Sequence, residues 1–117
     1  MERLWRATIN SWKGFRFAFR SEAAFRQELA VFVPAVPLAF FIADESWKRL
    51  ALIGVLVLVM IVELLNTAIE KLADRLTTDH DPQIGRVKDL GSAAVGVAVI
   101  IGGLFWLFAI AERIGAI

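Results

Sequence analysis

The chain has 117 residues, 58% of them hydrophobic, with a mean hydropathy of +0.65 and a net charge of +1. That length argues for one domain, and that apolarity exceeds what a soluble domain of this size carries and suits a membrane protein. With no cysteine, disulfide frameworks, thiolate metal sites and thiol nucleophiles are excluded, and the near-neutral charge gives no global reason to expect nucleic acid as a partner.

Residues 1–28 carry Trp5, Ile9, Trp12, Phe15, Phe19 and Ala23 at helical spacing, with Arg3, Arg6, Lys13, Arg16 and Arg20 mostly on other faces. This pattern predicts a basic amphipathic helix lying in the membrane interface. The stretch is too charged, and too long before its first apolar run, for a cleavable signal peptide, so it is expected to stay on the mature protein. Glu22 and Arg26 are spaced for a surface ion pair of little worth.

A first span is expected over 29–48. Its apolar part, LAVFVPAVPLAFFIA (29–43), is short for a bilayer, and Pro34 and Pro37 are expected to kink it, as neighbouring helices allow. A second span is expected over 49–70, with Glu63, Asn66 and Thr67 toward its far end. Residues 71–89 then read as a polar connection containing TTDHDPQIG (77–85), where His80 is the chain's one histidine and so a poor candidate for a metal cluster. A third span is expected over 90–112. Leu90–Ala111 is uncharged, and Gly91, Ser92, Ala93, Ala94, Gly96 and Ala98 suit close helix approach. Trp47 and Trp106 suit membrane interfaces. The expectation is an all-α membrane protein occupying 1–117 as one domain, an interfacial helix followed by three transmembrane helices.

The flanking charges orient it. Six Lys/Arg precede Leu29 (Arg3, Arg6, Lys13, Arg16, Arg20 and Arg26), and four lie in the long connection (Lys71, Arg75, Arg86 and Lys88), against Lys48 and Arg49 in the short turn and Arg113 in the tail. The positive-inside rule puts the N-terminus and the 71–89 connection in the cytoplasm.

Glu63, Asn66 and Glu70 stand at i, i+3 and i+7, on one helix face. A carboxylate deep in a bilayer costs on the order of 3 kcal/mol, and such acids usually mark function. Glu63 would lie about 10 Å deeper than Glu70, so one acid can face a lipid hydroxyl while the other faces a water-borne reagent. With Glu22, Glu28, Lys88, Asp89 and Ser92 at the same membrane surface, the set suits magnesium and polyphosphate chemistry, in which Mg²⁺ takes one or two carboxylates plus substrate phosphates. No Walker-type or kinase-type glycine-rich loop is present.

Four segments in order, SWKG (11–14), EAAFRQE (22–28), VELLNTAIEKLADR (62–75) and KDLGSAAV (88–95), resemble the bacterial diacylglycerol kinase family of small integral-membrane lipid kinases. The likeness runs from about Arg3 to the end of the sequence. It implies transfer of the ATP γ-phosphate to diacylglycerol, giving phosphatidic acid, by a homotrimer in the bacterial inner membrane with active sites between subunits. Carried onto this chain, it assigns Glu63 as general base and Glu22 and Glu70 as holders of the Mg²⁺ that accompanies ATP. It assigns Arg3, Asp79, His80, Asp81, Lys88 and Asp89 to the nucleotide. Ser11, Trp12, Ala24, Phe25, Arg26, Gln27 and Glu28 correspond to lipid-contacting positions, and Asn66 and Ser92 to groups that orient the reacting hydroxyl and the base. Asn10 departs from the pattern, standing where an aromatic residue is expected, and residues 79–82 fit in character rather than residue for residue.

Two other readings compete. A related branch of the superfamily phosphorylates undecaprenol, and the full SWKG and EAAFRQE segments favour diacylglycerol over it. A non-enzymatic scaffold with a polar helix seam is the other; it would spread its polar residues across the bilayer, whereas here they gather at one end.

Overall fold

In lipid every backbone N–H and C=O must be satisfied within the protein, so long apolar runs are driven into helices. The computed structural model describes residues 1–117 and consists of α1 (Glu2–Ser21), α2 (Ala23–Ile42), α3 (Ser46–Leu76) and α4 (Pro82–Arg113). The last three are each long and apolar enough to cross a membrane.

The amphipathic stretch ends earlier than its apolar stripe suggests. Glu22 is extended (φ −115°, ψ 110°), and residues 23–28 belong to α2. The break is held by Arg26, whose Nη1 donates to the carbonyls of Phe19 and Arg20 at 2.9 and 3.0 Å. These are last-turn carbonyls of α1 that lack an intrahelical partner. Arg26 therefore caps a helix end instead of pairing with Glu22. α2 stays helical through Pro34 and Pro37 to Ile42, and the chain leaves helical geometry at Ala43–Glu45 before α3 starts.

α3 has 31 residues and is roughly 46 Å long, against a hydrocarbon thickness of about 30 Å. It therefore projects beyond the bilayer, carrying Lys71, Asp74 and Arg75 on helix. α4 begins at Pro82, and Asp81 accepts from the backbone N–H groups of Gln83 (2.9 Å) and Ile84 (3.3 Å). An N-cap aspartate followed by proline at the first helical position is a strong start signal. The polar connection expected over 71–89 is thus mostly helix, with only 77–81 outside it.

α3 packs chiefly on α4, and α2 lies against α3. Gly91, Ala98 and Gly102 are the buried α4 positions, where small residues let the backbones approach; Ser92, Ala93, Ala94 and Gly96 face outward. Toward the other end, Ala39 (0% exposed), Ala43 and Leu52 (2% exposed) form a small core with Ile42, Ile53, Trp106 and Ala109 around it. Trp106 donates its indole N–H to the Leu52 carbonyl at 3.1 Å. It is a packing residue between α3 and α4 rather than a free interfacial anchor, whereas Trp47 is exposed. Beside it Lys48 bridges Glu45 (3.3 Å) and Glu112, and Arg113 meets Asp44 at 3.6 Å. Fourteen of the 117 residues are buried in this single chain, and large apolar side chains such as Phe41, Leu50 and Phe108 are exposed, leaving most apolar surface for lipid or neighbouring copies.

Ala39 is fully buried in this small core. Ala39→Leu is expected to lower stability by about 1–3 kcal/mol through overpacking, measured by unfolding in mixed detergent micelles.

Candidate active site

The polar residues converge where α1 ends, α2 begins and α3 leaves the apolar zone. Glu22, at the α1–α2 break, is held by Lys71 of α3, with Oε1 and Nζ 3.2 Å apart. The same ammonium lies 5.7 Å from the Phe17 ring centroid, a cation–π distance. Lys71 therefore ties α3 to the end of α1 and the start of α2 at once.

Along α3, Asn66 is 8% exposed and turned into the α3–α4 contact. Its Nδ2 donates to Glu70 Oε1 at 3.2 Å, while its Oδ1 is buried with no hydrogen-bond partner. Glu63, one turn deeper, is half-buried and stands within electrostatic reach of Glu22, Glu28 and Glu70. Glu28 is also half-buried, with its Oε1 unpartnered. It borders a cavity of about 240 Å³ between α2, α3 and α4, lined otherwise by Gln27 and apolar residues including Val31, Leu56 and Met60.

Glu63 thus feels the charge of three other carboxylates, while Lys71 is committed to Glu22. Mutual repulsion in a medium of reduced dielectric is substantial, and a divalent cation relieves it. Nowhere do three or more His, Cys, Asp or Glu side chains form a ready-made metal cage. Hard oxygen donors from two carboxylates, with the remaining positions left to phosphate oxygens and water, is the pattern that suits Mg²⁺.

A second, polar cleft of about 640 Å³ lies under the 77–81 turn, lined by Asp74, Thr78, Asp79, His80, Asp81 and Lys88 among others. Lys88 meets Asp74 at 2.5 Å, which joins the projecting end of α3 to the first turns of α4. Asp79 donates its backbone N–H to Thr77 Oγ1 at 3.0 Å, and Asp81 is engaged as the α4 cap.

The remaining candidates are dispersed. Arg3, Ser11 and Trp12 lie on the exposed surface of α1, with Ser11 Oγ donating to the Ala7 carbonyl at 2.9 Å. Ala24, Gln27, Asp89 and Ser92 are exposed, while Phe25 is buried. Lys71, Asp74 and Gly91 are the participants that spacing alone did not single out. Lys71 had a signal, since it directly follows Glu70; Asp74 becomes relevant only once α3 is known to continue past Glu70.

An all-helical, multi-pass membrane protein with a carboxylate-rich pocket at one end of its spans is the class that fold and site define. Residues 9–110 match the prokaryotic diacylglycerol kinase family. The chain is 42% identical to a diacylglycerol kinase of Escherichia coli strain K12, over 97% of this chain and 93% of that protein. It is 42% identical to one of Pseudomonas aeruginosa (91% and 86% covered) and 39% identical to one of Haemophilus influenzae (86% and 85%). The chain belongs to the prokaryotic diacylglycerol kinase family, and with its three membrane-capable helices it is a multi-pass bacterial membrane protein.

The Lys88–Asp74 pair is at least 40% exposed on each side, and exposed pairs contribute little. Asp74→Asn is expected to change unfolding stability by less than about 1 kcal/mol, measured in the same micelles.

Proposed function

We propose that this enzyme transfers the γ-phosphoryl group of ATP to the free hydroxyl of 1,2-diacylglycerol, giving phosphatidic acid, at the cytoplasmic surface of the bacterial inner membrane. The names of the relatives support the acceptor. The observation that carries the site is the α3 stripe, in which Glu63 and Glu70 flank a buried Asn66 and Glu22 is held across from them by Lys71. The lysines and arginines flanking the spans support a cytoplasmic N-terminus. The whole of 1–117 acts as one integral-membrane domain.

Glu63 is the general base. It takes the proton of the lipid hydroxyl as that oxygen attacks phosphorus; the new O–P bond forms while the bond to the bridging oxygen breaks and ADP leaves. Positioned proton transfer of this kind contributes roughly 10²–10⁴-fold. Glu22 and Glu70 would hold Mg²⁺ together with the ATP phosphates. Bound there, the ion offsets phosphate charge and helps orient the transferred group. Asn66 holds Glu70, and with Ser92 helps to orient the hydroxyl and the base. Lys88, Asp89, Arg3 and residues 79–81 contact the nucleotide. Ser11, Trp12 and 24–28 contact the lipid, with the cavity beside Glu28 open to an apolar substrate.

Arg3, Ser11 and Trp12 are displaced along α1 from the carboxylates, and most apolar surface is exposed. Both facts support neighbouring copies sharing each site, in a homotrimer as the family resemblance implies.

The test is transfer of label from γ-³²P-ATP with Mg²⁺ in mixed micelles, with diacylglycerol and undecaprenol offered separately. Labelled phosphatidate is expected, falling at least about 10²-fold in Glu63→Gln while assembly is kept. Label on undecaprenol alone would overturn the lipid assignment. Label on neither lipid, from a folded protein, would return the polar stripe to a purely structural role, as would loss of assembly in Glu63→Gln.

A further inference from the structure

The buried carboxamide of Asn66 has a neighbour that the chemistry above does not use. Its Oδ1 lies directly against the position a β-carbon would take on Gly91 of α4, and its Cγ would be only 3.3 Å from that carbon. The third neighbour, Ile69 Cδ1, would sit at an ordinary 3.9 Å. No backbone atom is among the three, so the space that glycine leaves is filled by one group, the Asn66 amide. The amide nitrogen faces Glu70, to which it donates, and the oxygen faces Gly91. The oxygen then lies against the Cα–H of Gly91, a weak donor, which fits its having no conventional partner.

We propose that Gly91 is a positioning residue of the active site: by leaving room for the Asn66 carboxamide, it fixes Glu70 for metal and nucleotide binding. The inference rests on the metal-holding role proposed above for Glu70. A methyl group at this position forces the Asn66 side chain to swing away or α4 to retreat. Either movement takes the amide from Glu70, and the second also displaces Lys88 and Asp89, which lie within one turn of Gly91 on α4. Among the α4 glycines the effect is local. A β-carbon at Gly85, Gly96 or Gly103 would meet nothing within 4 Å, and at Gly102 it would make ordinary contacts of 3.6 and 3.9 Å with Val59 and Val55.

The experiment is a Mn²⁺ titration by electron paramagnetic resonance of the full chain in micelles with a non-hydrolysable ATP analogue. It compares wild type, Gly91→Ala, Asn66→Ala and the double variant, with Gly96→Ala as a control. Gly91→Ala is expected to bind Mn²⁺ at least roughly tenfold more weakly, the scale of a lost hydrogen bond to a charged group, and KM for the metal–nucleotide is expected to rise in step. The double variant is expected to bind no more weakly than Asn66→Ala alone, because Gly91 acts only through that side chain. Binding by Gly91→Ala within about twofold of wild type, or a double variant whose loss is the product of the two single losses, would contradict the proposal. If Gly91→Ala does not fold, adding Asn66→Ala must restore folding, and failure to restore it also contradicts the proposal. A wild-type chain that binds no Mn²⁺ with the analogue would overturn the metal role of Glu22 and Glu70, a failure distinct from any difference among the variants.

Discussion

A carboxamide buried between two helices must find partners inside the protein, because the surrounding hydrocarbon offers none. Left wholly unsatisfied, such a group costs about 1–3 kcal/mol. Asn66 meets this constraint on one side only. Its nitrogen donates to Glu70, and its oxygen rests against a glycine. Much else is arranged around that solution: α3 and α4 approach closely at Gly91, Glu70 is held on the face it shares with Glu63, and the first turns of α4 are set beside the projecting end of α3. Lys71 completes the frame from the other direction by drawing in Glu22 and the α1–α2 break. The polar residues form a small tied unit at one end of an otherwise apolar bundle, not a seam running through it.

The bilayer explains why the unit is stretched along a helix. α3 is longer than the hydrocarbon is thick, so one face of one helix passes from an apolar to an aqueous environment. In the proposed arrangement Glu63 and Glu70 sit on either side of that passage. In the proposed reaction a lipid alcohol stays in the membrane and a nucleotide stays in water, so the catalyst needs groups at two depths with fixed separation. A rigid helix supplies that separation, and the contacts of Asn66 keep the stripe in register with α4.

The spans were legible in the sequence as continuous apolar runs, and the amphipathic start and the polar stripe as periodic patterns on one helix. The four motifs were legible because they lie in contiguous segments in a fixed order. What escaped depends on contacts between segments. Arg26 suggested a partner for Glu22 four residues away, yet it serves backbone carbonyls that become available only when α1 stops. Residues 71–89 looked like a loop because they are charged; an Asp–Pro cap and a long α3 make most of them helical. Trp106 had the composition of an interfacial anchor and is a packing residue, since its indole N–H finds the Leu52 carbonyl across the helix pair. Gly91 was one small residue among several, and its burial against Asn66 distinguishes it from Gly96, which faces outward.

The central claim is that α3 carries its polar stripe from lipid into water between Glu63 and Glu70. Leu58, Leu65 and Leu72 lie at seven-residue intervals on an exposed face of the same helix, and the chain has no cysteine to remove. The most direct measurement places single cysteines there, attaches nitroxides in bilayers, and compares collision with oxygen and with a water-soluble nickel chelate. The account predicts depths that step by about 10 Å per site, with the label at 58 in hydrocarbon and the label at 72 in water. A label at 72 as inaccessible to nickel as the label at 58 would contradict it, because Glu70 would then lie beyond the reach of any water-borne phosphoryl donor.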